Sequence, residues 1–352
     1  MKVLITGQAG YVGAVMGPHL AAAGHDVVGL DTLYYRNCDL FPLEATVPLV
    51  QRDVRDVTPE DLDGFDAVVH LAALSNDPMG AVDSELTLEI NVGGTLTVAR
   101  AAQAAGVRRF VFASSCSMYG ASGPDGRVDE SAPLMPLSAY AESKVRAEEG
   151  LSQLSAGGLE PVFMRFATAH GVSPRLRLDI VLNNLVAWAL TTGEIRILSD
   201  GTPWRPIVHV QDMAEAVRQV LEADSDVVSG EAFNVGADSE NYQVTELADF
   251  VAEAVPGCTI EYAGTGDPDP RSYRVDFGKF SRAFPAFRTA WDARSSAADL
   301  ARAYEAAGLT LETFEGDRYI RLRRLQQLRA GGHLDDALRW ARSAEAVAEP
   351  AG

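Results

Sequence analysis

Apolar residues in the first half of the chain fall into short unbroken runs separated by stretches with helical spacing. "KVLIT", "DVVGLD", "PLVQRD", "AVVHLAA" and "RFVFASS" read as strands. "YVGAVMGPHLAAAG", "ELTLEINVGGTLTVARAAQAAG" and "SAYAESKVRAEEGLSQL" read as helices. Strands apolar along their whole length, alternating with helices, predict a parallel sheet covered on both faces. "PVFMRFA" adds a strand near 161–167. The fold class expected is α/β, a doubly wound parallel sheet followed by a smaller α/β lobe.

The pattern loosens after residue 172. Loop, helix, strand, loop, strand and helix follow one another through "VSPRLRLDIVLNNLVAWALTTG" and "IRILSDGTPWRPIVHVQDMAEAVRQVLEA". The organisation expected is a sheet domain over 1–172, with segments near 205–236 returning to it, a lobe over 173–312 and a helical extension over 313–352. That extension is locally basic: Arg318, Arg321, Arg323, Arg324 and Arg329 accompany Leu322, Leu325 and Leu328. It reads as an amphipathic helix lying on the core, with a subunit contact or a guard over the active site as the sharper alternative.

Composition narrows the partners. The 352 residues carry a net charge of −19, which argues against nucleic acid or an anionic membrane surface. Cys38, Cys116 and Cys258 are scattered, with no CxxC pair and no metal-ligand spacing. A reduced, cytoplasmic protein without a metal is expected. "MKVLITG" starts a strand at once, leaving no room for a signal peptide, and "IVLNNLVAWAL" is too short to span a bilayer.

The first strand runs into "TGQAGYVG", with Gly7, Gly10 and Gly13 three apart before a helix. This spacing suits a dinucleotide turn: a tight bend, a close approach of backbone to pyrophosphate, and intimate packing of helix on strand. Asp31 ends the second strand eighteen residues after Gly13, where a carboxylate can accept from an adenosine ribose and would repel a 2′-phosphate. NAD is therefore preferred to NADP, with Arg36 nearby as the dissenting charge. Asp53, in "RDVRD", could receive the adenine amine or could simply cap a helix.

"PLSAYAESK" raises a different question, because Tyr140 and Lys144 share one helical face. The pair makes chemical sense if the ammonium draws the phenol's pKa down. Tyr140 could then exchange a proton with a substrate hydroxyl while a nicotinamide exchanges hydride with the same carbon. Ser115, 25 residues earlier at a strand end, would hold that oxygen, and Lys144 would also touch the nicotinamide ribose.

Together "TGQAGYVG", "DVRD", "HLAA", "SSCSMYG", "YAESK", "PIVHVQD" and "AFNVG" resemble the extended short-chain dehydrogenase/reductase family, in its nucleotide-sugar epimerase and dehydratase group, over about residues 1–290. The resemblance implies a Rossmann-type fold, NAD, a nucleotide-diphosphate sugar as substrate, and a homodimer formed through helices near 83–105 and 138–155. It implies cofactor contacts at Tyr11, Val12, Val54, Leu71, Ala72 and Ala73, besides the glycines, the two aspartates, Tyr140 and Lys144. On the substrate side it implies Ser75, Ser117 and Thr168, Asn184 in "LNNLVAWAL" and the phosphate-binding pair Arg205 and Arg271.

The family's 4,6-dehydratases carry an acidic pair directly after the position of Ser115, and its decarboxylases a glutamate at the position of Ser117. Here Cys116 and Ser117 stand there. That leaves redox at one carbon: an epimerase, acting at C4, or alternatively a 4-keto-sugar reductase. Cys116 could instead serve as an acid or base in 3,5-epimerisation, although a buried small residue is the simpler reading. "RFATAHG" also departs from the family strand, with Thr168 in place of asparagine and His170 in place of an aromatic. His170 might contact the hexose, or might be structural like His70 and His209. A binding module without chemistry is the rival from another class, and the presence of both Tyr140 and Lys144 argues against it.

Overall fold

Seven strands hydrogen-bond side by side, all parallel, in a computed structural model that describes residues 1–42, 47–75, 83–121, 126–262 and 271–341. In chain order the first part comprises β1 (Lys2–Thr6), α1 (Gly13–Ala22), β2 (Asp26–Asp31), β3 (Leu49–Gln51), β4 (Ala67–His70), α2 (Ser84–Leu88), α3 (Gly94–Ala104), β5 (Arg109–Ser115), the two-residue β6 (Arg127–Val128), α4 (Ala139–Leu154) and β7 (Glu160–Phe166). The second part comprises β8 (Thr168–His170), α5 (Val181–Thr192), β9 (Glu194–Ile197), β10 (Trp204–His209), α6 (Val210–Glu222), β11 (Ala232–Val235), β12 (Asn241–Gln243), α7 (Val244–Ala254), β13 (Thr259–Tyr262), β14 (Arg274–Val275), α8 (Ala293–Ala306) and α9 (Arg321–Ala330).

The sheet order is β11-β7-β5-β4-β1-β2-β3. Successive strands therefore leave β1 in opposite directions, and the crevice between the carboxyl ends of β1 and β4 is the switch point where such sheets bind ligands. Every residue of β4 is buried, as are all but the first of β7, as expected of strands covered on both faces. One face packs Met16, Leu20, Met213 and Val217 from α1 and α6. The other packs Val98, Ala102, Ala147 and Leu151 from α3 and α4.

Within the segment near 205–236, Ala232–Val235 joins the main sheet beside β7, whereas Trp204–His209 pairs with β8 and β12. The lobe has its own core, where α5, α7 and α8 contribute Leu182, Leu185, Leu247, Val251, Leu300 and Tyr304. No described helix is long and apolar enough to cross a membrane.

One expected helix differs in detail. The run near 83–105 contains a π-turn, Glu89–Gly93, between α2 and α3. Such a turn admits an extra residue and redirects side chains. Asn91 within it accepts from Leu74 N (2.8 Å) and donates to Leu74 O (3.1 Å) and Ser143 Oγ (3.0 Å). The loop after β4 is thereby tied to α4.

Candidate active site

The carboxyl ends of the strands open into a cavity of about 910 Å³ shared by the sheet and the lobe. It reaches from the glycine turn to Arg205 and Arg271, a size that suits an extended ligand.

At one end lies the turn after β1. Gly7 has φ +74°, and a Cβ there would lie 2.8 Å from Ala72 N. A Cβ on Gly13 would lie 2.4 Å from Gly7 O. Two segments of backbone are thus in contact that only glycine permits, which leaves the start of α1 open to a phosphate. Gly7, Gly10, Tyr11, Val12 and Gly13 all line the cavity, as do Leu71, Ala72 and Ala73 opposite them. Asp31 is set in the same wall: Oδ2 accepts from Ala9 N (3.0 Å) and Oδ1 from Leu33 N (2.7 Å). Burial raises its pKa, and those two hydrogen bonds oppose the rise. The arrangement meets the requirements of a dinucleotide whose ribose faces a carboxylate.

Val54 lines the cavity, but its neighbour Asp53 does not. The Asp53 carboxylate caps the short turn Val54–Asp56 through Arg55 N (2.9 Å) and is gripped by the Arg55 guanidinium (2.7 Å). Arg339 lies 3.4 Å away. These cations hold its pKa low against the effect of burial. Of the two roles open to Asp53, the structure shows capping and ion pairing.

Ser115, Tyr140 and Lys144 line the middle of the cavity. Ser115 is the last residue of β5, and its Oγ bonds to Ser117 Oγ (2.9 Å), also on the wall. Tyr140 and Lys144 occupy the first turns of α4, which Ser138 caps. Lys144 is buried. Its Nζ donates to Ala113 O (2.7 Å) and lies 4.7 Å from the Phe112 ring centre and 5.7 Å from that of Tyr140. Burial pushes its pKa down to about 7, with Glu148 pulling the other way.

A buried network fixes α4 against β5. Glu148 Oε1 accepts from Ser114 Oγ (2.6 Å) and Arg165 Nε (3.1 Å), and Oε2 accepts from Arg165 Nη2 (2.7 Å). Arg165 continues to Tyr119 Oη (3.1 Å), which donates to Asn234 Oδ1 (2.7 Å). The serine on the strand and the tyrosine on the helix are thus held by one set of charge-assisted bonds.

On the substrate side, Ser75, Thr168, Asn184, Arg205 and Arg271 line the cavity. Arg205 Nη1 donates to Trp204 O (2.9 Å) and to Arg271 O, so the two arginines share one corner. Asn184 Nδ2 donates one of its two N–H groups to Leu178 O (2.8 Å), and the other is the one a phosphate oxygen could accept.

Cys116 lies outside the cavity, fully buried, with Sγ against Arg165 O, and burial raises its pKa. The acid–base alternative for this thiol is thereby removed. His170 is buried edge-on to His209 (5.3 Å), and its pKa falls well below the usual value. Contact with a hexose is excluded for it. His70 bridges Thr6 Oγ1 (2.8 Å) and Thr95 Oγ1 (2.9 Å), and His209 stacks on Trp291 (4.4 Å).

Several wall residues escaped the sequence reading. Tyr34 and Tyr35 follow β2, and Arg177 and Asp179 lie in the loop before α5; Arg321, of the C-terminal helix already singled out for its arginines, also lines the wall. Arg177 holds Asp179 (2.9 Å) and donates to Ser75 Oγ (3.0 Å). The loops carry no periodic signal, and only "RLRLD" itself, a charge-alternating run before an apolar helix, could have drawn attention.

Comparison with known proteins sets this geometry beside characterised chemistry. A model of the NAD dependent epimerase/dehydratase family matches residues 3–236. The UDP-glucose 4-epimerase of Corynebacterium glutamicum is 31% identical over 269 residues, 72% of this chain and 80% of that protein. The UDP-glucose 4-epimerase of Streptomyces lividans is 33% identical over 233 residues, 61% of this chain and 70% of its own. Among solved structures, the dTDP-glucose 4,6-dehydratase of Streptomyces venezuelae with NAD bound superposes with a TM-score of 0.76 at 26% identity, covering 89% of this chain and 100% of that one.

Proposed function

Because this chain belongs to the NAD dependent epimerase/dehydratase family, we propose that it is an NAD-dependent epimerase of nucleotide-diphosphate hexoses, inverting C4. The observation that carries this reading is the composition of the cavity beside Tyr140. Ser115 and Ser117 face it, Cys116 is turned into the core, and its carboxylates among the described residues are Asp31 at the turn and Asp179 in the grip of Arg177. Eliminating water from the sugar needs a proton donor and a base beyond the tyrosine, and among the described residues no free carboxyl lines the cavity beside Tyr140 to act as either. The 4-epimerases to which the chain is similar support the same choice.

When bound, NAD supplies the acceptor and later the donor of a hydride. Tyr140 removes the proton from the C4 hydroxyl at its phenolic oxygen and returns it after the keto-sugar has presented its other face. Ser115 donates to the same sugar oxygen through Oγ once Ser117 releases it. Burial brings the Lys144 pKa down to about 7. Loss of the Tyr140 proton favours the ammonium beside its ring (5.7 Å). Arg205, Arg271 and Asn184 hold the diphosphate, guanidinium forks being suited to phosphate oxygens.

The test is incubation with UDP-glucose, UDP-galactose and their thymidine, guanosine and cytidine counterparts, followed by proton NMR of the anomeric region, with no reductant added. Interconversion of two C4 epimers is expected. Turnover only when NADH or NADPH is supplied with a keto-sugar would replace the epimerase reading by the reductase one.

A further inference from the structure

The C-terminal extension brings a cation to the cofactor end of the cavity. Arg321 is the first residue of α9, beyond the residues matched by the family model. Its side chain is 3% exposed yet lines the cavity. The guanidinium stacks on the Tyr35 ring (4.0 Å), and Nη2 donates to Arg175 O (3.1 Å). Nη1 is buried and has no hydrogen-bond partner.

Its neighbours sharpen the anomaly. Arg177 has Asp179 (2.9 Å) and Arg175 has Asp39 (3.0 Å) as counter-ions. Arg321 takes part in none of the ion pairs among the described residues. Asp179, which acts on Arg321 through space, is already paired with Arg177, and a guanidinium buried with an unpaired donor is suited to an anion entering the cavity. Tyr35, on which Arg321 stacks, follows the strand that ends in Asp31, and Arg321 lines the same cavity as the glycine turn. A dinucleotide lying between that turn and that carboxylate would carry its pyrophosphate within the same cavity.

The extension is built to hold the arginine there. Leu325 and Leu328 of α9 pack with Tyr34, Leu74, Leu86 and Ile90. Beyond the helix, Tyr34 Oη donates to Leu338 O (2.5 Å), Trp340 Nε1 to Thr32 O (2.6 Å) and Arg55 Nη1 to Ala337 O (2.9 Å). Both rims of the adenosine end, the one after β2 and the one at Val54, are thereby strapped to the same segment.

We propose that Arg321 is a cofactor-binding residue supplied by the C-terminal extension, its free Nη1 donating to the pyrophosphate of the dinucleotide. The inference rests on the dinucleotide reading of the cavity and is independent of which reaction follows.

The test is the affinity of Arg321→Met and Arg321→Lys protein, cleared of endogenous nucleotide, for NADH by fluorescence and for ADP, adenosine and UDP by calorimetry. Arg323→Ala, an exposed change on the same helix, is the control. Arg321→Met is expected to weaken NADH and ADP roughly 10- to 100-fold, the range of one charge-assisted hydrogen bond, and to leave adenosine within about twofold. Arg321→Lys, which retains the charge, should recover part of the loss and remains informative if the methionine variant does not fold. Equal affinity of variant and wild type for ADP would overturn the proposal. So would a loss shared equally by adenosine, which marks a structural role, or one confined to UDP, which moves the arginine to the substrate diphosphate. Failure of the wild type to bind NADH or ADP at all would instead overturn the dinucleotide reading.

Discussion

Replacing Lys144 by methionine should stop turnover and, in the cofactor-free protein, raise stability at low pH. Burial takes the Lys144 pKa from 10.5 down to about 7. That gap of roughly 3.5 units corresponds to about 5 kcal/mol of unfavourable burial of the charged form, at about 1.4 kcal/mol per unit. The sign follows from proton counts. Between about 7 and 10.5 the unfolded lysine is protonated and the folded one is not. The unfolded state therefore binds the extra proton, and wild-type stability rises with pH across that window. Below it both states are charged and the full burden is present. Methionine removes the burden but also removes the donor to Ala113 O (2.7 Å), a loss of about 1–3 kcal/mol. The variant should thus be more stable than wild type by about 2–4 kcal/mol near pH 6, and slightly less stable near pH 10. Urea unfolding of both proteins at these two pH values, after release of bound nucleotide, measures the difference. A stability difference that does not change between them would refute the claim that the ammonium is held against its desolvation.

Two further outcomes test the site and its support. Tyr140→Phe should lower kcat by roughly 10²–10⁴, the contribution of acid–base catalysis, while NADH titration gives unchanged affinity; undiminished turnover would remove Tyr140 from the chemistry. Glu148→Ala strips the counter-ion from buried Arg165 (2.7 Å) and should cost about 3–5 kcal/mol. A urea midpoint equal to that of wild type would show that this network does not hold α4 on β5.

Much of this was legible because the chemistry rides on regular elements. The strand–glycine turn–helix of 2–22, the strand ending in Ser115 and the helix carrying Tyr140 and Lys144 each announce themselves by period and by side-chain type. Parallel strands then bring their carboxyl ends together whatever the loops do. Asp53 was harder, because a carboxylate followed by a short turn can face a ligand or cap the turn. The choice rests on Arg55 and on Arg339, nearly three hundred residues away. For His170 and Cys116 the structural role was the simpler reading from the sequence, and burial of both side chains agrees with it. The π-turn at Glu89–Gly93 has no counterpart in hydrophobic spacing, since it inserts one residue within a run that stays helical.

The C-terminal arginines mark where local reading stops. Leu322, Leu325 and Leu328 reveal an apolar stripe, but a stripe does not name the surface it covers. Arg321, Arg323, Arg324 and Arg329 look alike along the chain. In the structure Arg321 is buried on Tyr35, Arg323 is exposed, Arg324 reaches Tyr34 O (3.3 Å) and Arg329 meets Asp336 (2.6 Å). What separates them is the angle at which α9 meets the loop after β2, fixed by Leu325 and Leu328 on Tyr34 and Leu74. A helix start only one residue different would turn the side chain by about 100°, carrying Arg321 off Tyr35 and out of the cavity wall. The same guanidinium would then be one more solvated charge on an acidic protein, and the cavity would lose a buried cation that has no ion pair among the described residues.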